Sequence, residues 1–112
     1  LLVNSCRYSL TEAARLVREL DGACFPAHID KPSFSVLAAL GEIPPEAEFT
    51  AAEVSGRGDV PALLKAHPVL QNMRILRDSD AHYLEQMPEP REFLPVPRLA
   101  AADVIAIIME KR

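Results

Sequence analysis

The segment MRILRDSDAHYLE, residues 73–85, decides how the chain is read. It opens with a short apolar run of strand type, and Asp80 and His82 stand two apart just beyond that run. Residues two apart in extended backbone point to the same side. A carboxylate and an imidazole at this spacing are therefore expected to converge on one point. In parallel α/β structures functional groups gather at the C-terminal ends of strands, where this pair falls. The plainer alternative is that Ser79 or Asp80 caps a helical turn through AHYLEQM and leaves His82 on the surface.

Working outward, SLTEAARLVRELDG (residues 9–22) predicts a helix. Ser9 and Glu12 have the spacing of a capping box, Leu10, Ala13, Ala14, Val17 and Leu20 fall on one face, and Gly22 is placed to end it in a left-handed conformation. ACFPAH (residues 23–28) reads as a short buried strand whose proline marks an irregular end. KPSFSVLAALG (residues 31–41) reads as a second helix, capped by Ser33 or Ser35 and closed by Gly41. A proline-rich loop leads to AAEVS (residues 51–55), a further strand. In GRGDVPALLKAHP the two glycines turn the chain, Asp59 caps, Pro61 suits a first helical turn and Pro68 ends the helix. After residues 73–76, a third strand, FLPV (residues 93–96) is a short fourth, and a last helix lies near residues 100–111.

This order, α-β-α-β-α-β-loop-β-α, predicts a parallel sheet with right-handed crossovers, its short apolar strands covered on both faces. A closed (β/α) barrel takes about 250 residues. The 112 residues here therefore match a partial (β/α) barrel with flanking helices, about half of the whole. The chain opens with Leu1, and LLVNS reads like the interior of a longer protein.

Composition narrows the partners. A net charge of −4 and scattered Lys and Arg argue against a nucleic-acid surface, and 5% aromatic residues are too few for a base-stacking platform. No apolar run approaches the roughly 20 residues of a membrane span, and no secretion signal is visible. Cys6 and Cys24 lack metal or redox spacing, so free thiols in a cytoplasmic protein are expected. Cys24 is read as simply buried. RGD (residues 57–59) is explained by the turn and the cap.

Three histidines are present. His28 ends the first strand and can complete a three-ligand face with Asp80 and His82, or it can be a core histidine bonded to a backbone carbonyl. His67 ends a helix and suits its C-terminus. Imidazole and carboxylate donors suit zinc, iron or manganese. Such an ion polarises a phosphoryl oxygen and acidifies a bound water. Glu53, on a buried-looking strand, needs a partner. It either orients a metal ligand or pairs with an arginine. Lys31 and Arg57 are exposed cations that can also meet an anionic substrate.

Taken together, GACFPAHIDKPSFS, LGEIPPEAEFTAAEVS, HPVLQNMRILRDSDAHYLE and EFLPV resemble the C-terminal part of the PHP (polymerase and histidinol phosphatase) family, in its stand-alone bacterial form. The likeness covers nearly the whole of residues 1–112 as one C-terminal portion of a PHP domain. It implies a distorted TIM-like barrel with divalent metal ions at the strand ends, and hydrolysis of a phosphorylated small molecule or nucleotide. By matched motif it implies His28, Asp80 and His82 as metal ligands. The family's opening His-x-His motif is not here, since the first histidine is His28. The expectation is an incomplete metal site, weak metal binding and no activity in this portion, with activity in a longer parent. An alternative is a regulatory or interaction module that kept the fold. Open strand edges and an uncovered apolar face lead to an expectation of self-association.

Overall fold

A computed structural model describes residues 6–112; the opening LLVNS lies outside them. The fold is a small mixed α/β arrangement around a two-stranded parallel sheet. Helix α1 (Leu10–Glu19) begins with the expected capping box, in which the Glu12 N–H donates to Ser9 Oγ at 3.2 Å and the Ser9 N–H to Glu12 Oε2 at 2.8 Å. Helix α2 (Val36–Leu40) is followed by strand β1 (Ala51–Ser55), helix α3 (Val60–Ala66), strand β2 (Arg74–Asp78) and helix α4 (Ala101–Met109). Asp59 caps α3 by accepting the Ala62 N–H at 3.0 Å, and Pro61 lies in its first turn. No helix among the described residues is long and apolar enough to cross a membrane.

The sheet register pairs Ala51 with Arg74, Glu53 with Leu76 and Ser55 with Asp78. Paired residues share a face, so Ala52, Val54 and Ile75 lie on the opposite side. That side meets α3 and the turn after it through Val60, Leu63, Leu64, Leu70 and Met73. Ile29, Leu70 and Val54 are the largest fully buried side chains of the core.

Three expectations need correction. Residues 23–28 are not a regular strand, although they flank β1: the Glu53 N–H donates to Pro26 O at 3.0 Å and the Ile29 N–H to Glu53 O at 2.9 Å. Acceptor and donor straddle residues 27 and 28, which is a parallel pattern carrying one extra residue, a bulge. FLPV forms no strand either. Pro95 and Pro97 have no N–H to give a ladder, and the chain folds locally, with the Val96 N–H on Leu94 O at 2.8 Å. Of the two caps open for helix α2, Ser35 is the one used (Ala38 N–H to Ser35 Oγ, 3.2 Å), Phe34 just before it has φ +56°, and Gly41 closes the helix as expected. Gly22 does not adopt a left-handed conformation; Asp21 does, with φ +56°. Gly22 is needed for space instead, since a Cβ there would lie 2.8 Å from Val17 Cγ1 and 3.1 Å from Val17 O.

Helix α4 is held at the N-terminal ends of the strands. Thr50 Oγ1, in a buried residue, donates to Ile108 O at 2.8 Å, and Arg74 Nε donates to Ile107 O at 3.0 Å. Two of the last-turn carbonyls, which have no helical partner, are thereby satisfied. The arginine also reaches Glu110 at 3.2 Å. Replacing Thr50 by Val leaves the Ile108 carbonyl unpaired and should cost about 1–3 kcal/mol in denaturant unfolding. Leu70→Ala should cost about 2–5 kcal/mol, because the core cannot fully close over the lost volume. Unchanged unfolding midpoints in both variants would refute this account of the core and of the α4 anchor.

Candidate functional site

The site forms where residues 26–31, the end of β1 and the loop after β2 meet. Its centre is the bulge beside β1. In a regular parallel ladder the residue-28 N–H would donate to Glu53 O, but that acceptor is taken by Ile29. The displaced His28 N–H donates instead to the Glu53 carboxylate, at 3.0 Å from Oε1. His28 itself has φ +31°, in the left-handed region that a residue with a Cβ rarely enters. Its ring atom Nδ1 is buried and makes no hydrogen bond. Neither partner expected from sequence is present: no carbonyl holds that nitrogen, and Glu53 pairs with a backbone N–H, not with an arginine.

Asp80 arrives from the far side of β1, two residues beyond β2. Period-two alternation does not place it, because Asp80 has φ +50°. An Asx turn does: the Asp80 N–H donates to Asp78 Oδ1 at 3.0 Å. The Asp80 carboxylate receives the Lys31 ammonium in a direct ion pair, with the two side chains 27% and 38% exposed. This pair joins the loop after His28 to the loop after β2. That hydrogen bond holds the Asp80 carboxyl below the usual carboxylate range, and the charges of Lys31, His82 and His28 act in the same direction. His82 is exposed. Its Nδ1 donates to Asp80 O at 2.8 Å, because a carbonyl can only accept. In the neutral ring this leaves Nε2 as the nitrogen with a lone pair. The helical turn foreseen downstream is a single 3-10 turn, Leu84–Gln86, which neither Ser79 nor Asp80 caps. An open groove of about 480 Å³ lined by His82, Tyr83, Leu84 and Met87 lies beside this loop.

Glu53 is half-buried in mid-sheet, and its carboxyl is pushed above the usual range. Burial is the main cause, and the adjacent Asp78 carboxyl adds to it. The His28 N–H and ring charge pull the other way. Asp30 is secured differently: the Ser55 N–H donates to Oδ1 at 2.8 Å, and the Ser55 hydroxyl donates to Oδ2. Burial opposes ionisation of Asp30, but these bonds outweigh it and hold the carboxyl below its ordinary 3.8. Gly58 completes this packing, since a Cβ there would fall 2.3 Å from Val54 Cγ1 and 2.9 Å from Asp30 Oδ2.

The structure thus brings His28, Lys31, Glu53 and Asp80 to one end of the sheet, and His82 to the rim. Arg57 stands exposed in the turn after β1. His67 caps the C-terminus of α3. Cys24 is half-buried, and burial pushes its thiol up. Sequence reasoning missed Asp30 and Asp78. The first is visible only as a neighbour of His28 in HID; the second, as the acid two before Asp80 in DSD, has the spacing of an Asx turn. His28 Nδ1 and the Asp80 carboxylate have donor chemistry that fits a divalent first-row cation. Among the described residues, however, no group of three His, Cys, Asp or Glu side chains closes around one point. The fit is therefore that of part of a site.

Glu53→Ala should leave the His28 N–H unpaired, so amide exchange at His28 and Ile29 should quicken while α1 keeps its protection. Equal protection in both proteins would refute the role given to Glu53. Asp30 supplies stability that is present above pH 3.8 and lost as pH falls through its lowered folded-state value. Asp30→Asn should lower stability at neutral pH and make the acid limb of the stability curve shallower; an unchanged acid limb would contradict this.

Comparison of the chain with protein-family models, with curated proteins and with solved structures finds no match. The chemistry of the site has to be read from its own geometry.

Proposed function

We propose that the chain is the C-terminal part of a metal-dependent phosphoesterase of PHP type, and that β1, β2 and the bulged segment beside them belong to the wall of a partial (β/α) barrel. The observation that carries this reading is the buried, unpartnered Nδ1 of His28, held on left-handed backbone at the end of the sheet that also presents Asp80. A buried nitrogen without a partner costs stability, and left-handed backbone at a residue with a Cβ adds about 1–3 kcal/mol. Such costs gather where a ligand repays them.

His28 and Asp80 would hold the ion, with His82 Nε2 reaching it from the rim. A divalent cation bound there supplies positive charge to a phosphoryl oxygen and acidifies water. The protein's own part is positional. Glu53 fixes the His28 backbone, and the Asx turn of Asp78 fixes that of Asp80. Lys31 and Arg57 are the cations available to the phosphoryl group of a small phosphorylated substrate or nucleotide. A second reading, a regulatory module without chemistry, draws on the neutralisation of Asp80 by Lys31.

Metal analysis after dialysis against manganese or zinc, with p-nitrophenyl phosphate hydrolysis, separates the two. The 112-residue chain should bind metal weakly and turn over no substrate, and the chain extended upstream should do both. In the extended chain Asp80→Asn and His28→Gln should each lower metal affinity at least about tenfold, since even groups that merely orient ligands have effects of that size. Metal binding indifferent to both substitutions would overturn the proposal, and full turnover by 112 residues would refute the claim that the site is partial.

A further inference from the structure

We infer that Lys31 is the internal counter-ion of the site: a divalent cation must displace its ammonium from Asp80, and the displaced ammonium then serves the phosphoryl group of the substrate. The inference rests on the reading above that Asp80 binds a cation.

The Lys31 backbone is fixed at both its polar atoms. Its N–H donates to His28 O at 3.0 Å, and its carbonyl accepts the Ser35 hydroxyl at 2.7 Å. The side chain is then the free element, a flexible four-carbon stem bearing a compact, strongly hydrated charge. That charge lies on the Asp80 carboxylate and feels Asp30 and Glu53 as well. Three carboxylates, Asp80, Asp30 and Glu53, thus act on one ammonium. At equal distance a divalent ion attracts a carboxylate twice as strongly as an ammonium does. The ammonium is therefore the weaker claimant on Asp80. Anchored at its backbone, it cannot leave the site when it loses the contact. An incoming metal ion thus frees a positive charge within a side chain's length of the place where a phosphoryl group would bind. Cation entry and anion recognition become one exchange at one carboxylate.

The test is calorimetric titration of Mn²⁺ into the protein and its Lys31→Met, Lys31→Gln and Asp80→Asn variants, followed by titration of inorganic phosphate into the Mn²⁺-loaded forms. Thermal melting confirms that each variant is folded. Removing the competitor should tighten Mn²⁺ binding about two- to fivefold in both Lys31 variants, the scale of a part-exposed ion pair. It should also weaken phosphate binding to the loaded protein. Mn²⁺ affinity unchanged or lowered in the Lys31 variants, or phosphate affinity unchanged, overturns the exchange while leaving the metal site standing. If Mn²⁺ binds wild type and Asp80→Asn equally, or binds neither, both the metal reading and the exchange fall.

Discussion

A single hydrogen bond, from the His28 backbone N–H to the Glu53 carboxylate, makes the rest of the site possible. One extra residue in the segment beside β1 gives Ile29 the ladder bond that residue 28 would have made. A half-buried backbone N–H left without an acceptor is costly. Glu53 removes that cost from the middle of the sheet, and only then can His28 stay in left-handed backbone with its Nδ1 uncommitted. The carboxylate is itself disfavoured by burial and by Asp78. A tolerated cost on one side chain thus supports an unusual conformation of another.

The two ends of the sheet do different work. At the N-terminal ends Thr50 and Arg74 satisfy the last carbonyls of α4. The first of these bonds is buried and the second part-buried, and both end on main-chain carbonyls of α4. At the C-terminal ends lie the bulge, the Asx turn, three carboxyl groups and the ion pair of Lys31 with Asp80. Among the described residues, the anchoring end holds Thr50 and Arg74 on main-chain carbonyls, whereas the C-terminal end keeps one buried nitrogen open and one carboxylate on a movable partner.

Local signals were legible in the sequence wherever one residue type settles the geometry. Ser9 with Glu12, Asp59 before Pro61, and Gly41 each specify a cap through their own chemistry. The strands at residues 51–55 and 73–76 were legible as apolar runs between turns, and His28, Glu53 and Asp80, each singled out from sequence, do lie near one another in the fold. What failed was whatever depends on a partner. FLPV has the composition of a strand, but its neighbouring prolines deprive it of a ladder. Residues 23–28 do run beside β1, yet the bulge appears only once the register against Glu53 is known. For the same reason the Asp-x-His spacing did not give the geometry of Asp80: the expected alternation requires extended backbone, and the Asx turn of Asp78 reverses Asp80 out of it. Lys31 was legible as a cation but not as the partner of Asp80, forty-nine residues away.

The acids around the bulge differ in how their charge is compensated, and the difference identifies the one that can exchange. Asp30 is held by the backbone and hydroxyl of Ser55, which move only if β1 moves. Glu53 is held by a backbone N–H, and Asp78 serves the N–H of Asp80. Those three compensations are dipoles fixed in the main chain or beside it. Of these four acids, Asp80 is the one in direct contact with a full charge on a flexible stem. Replacing a fixed dipole would require refolding a strand end, whereas replacing an ammonium requires only rotation of side-chain bonds. The carboxylate whose partner can leave at least structural cost is also the one whose neighbour, His28, holds the unpaired nitrogen. That coincidence of an exchangeable acid and an open imidazole distinguishes this strand end from an ordinary solvated acidic loop.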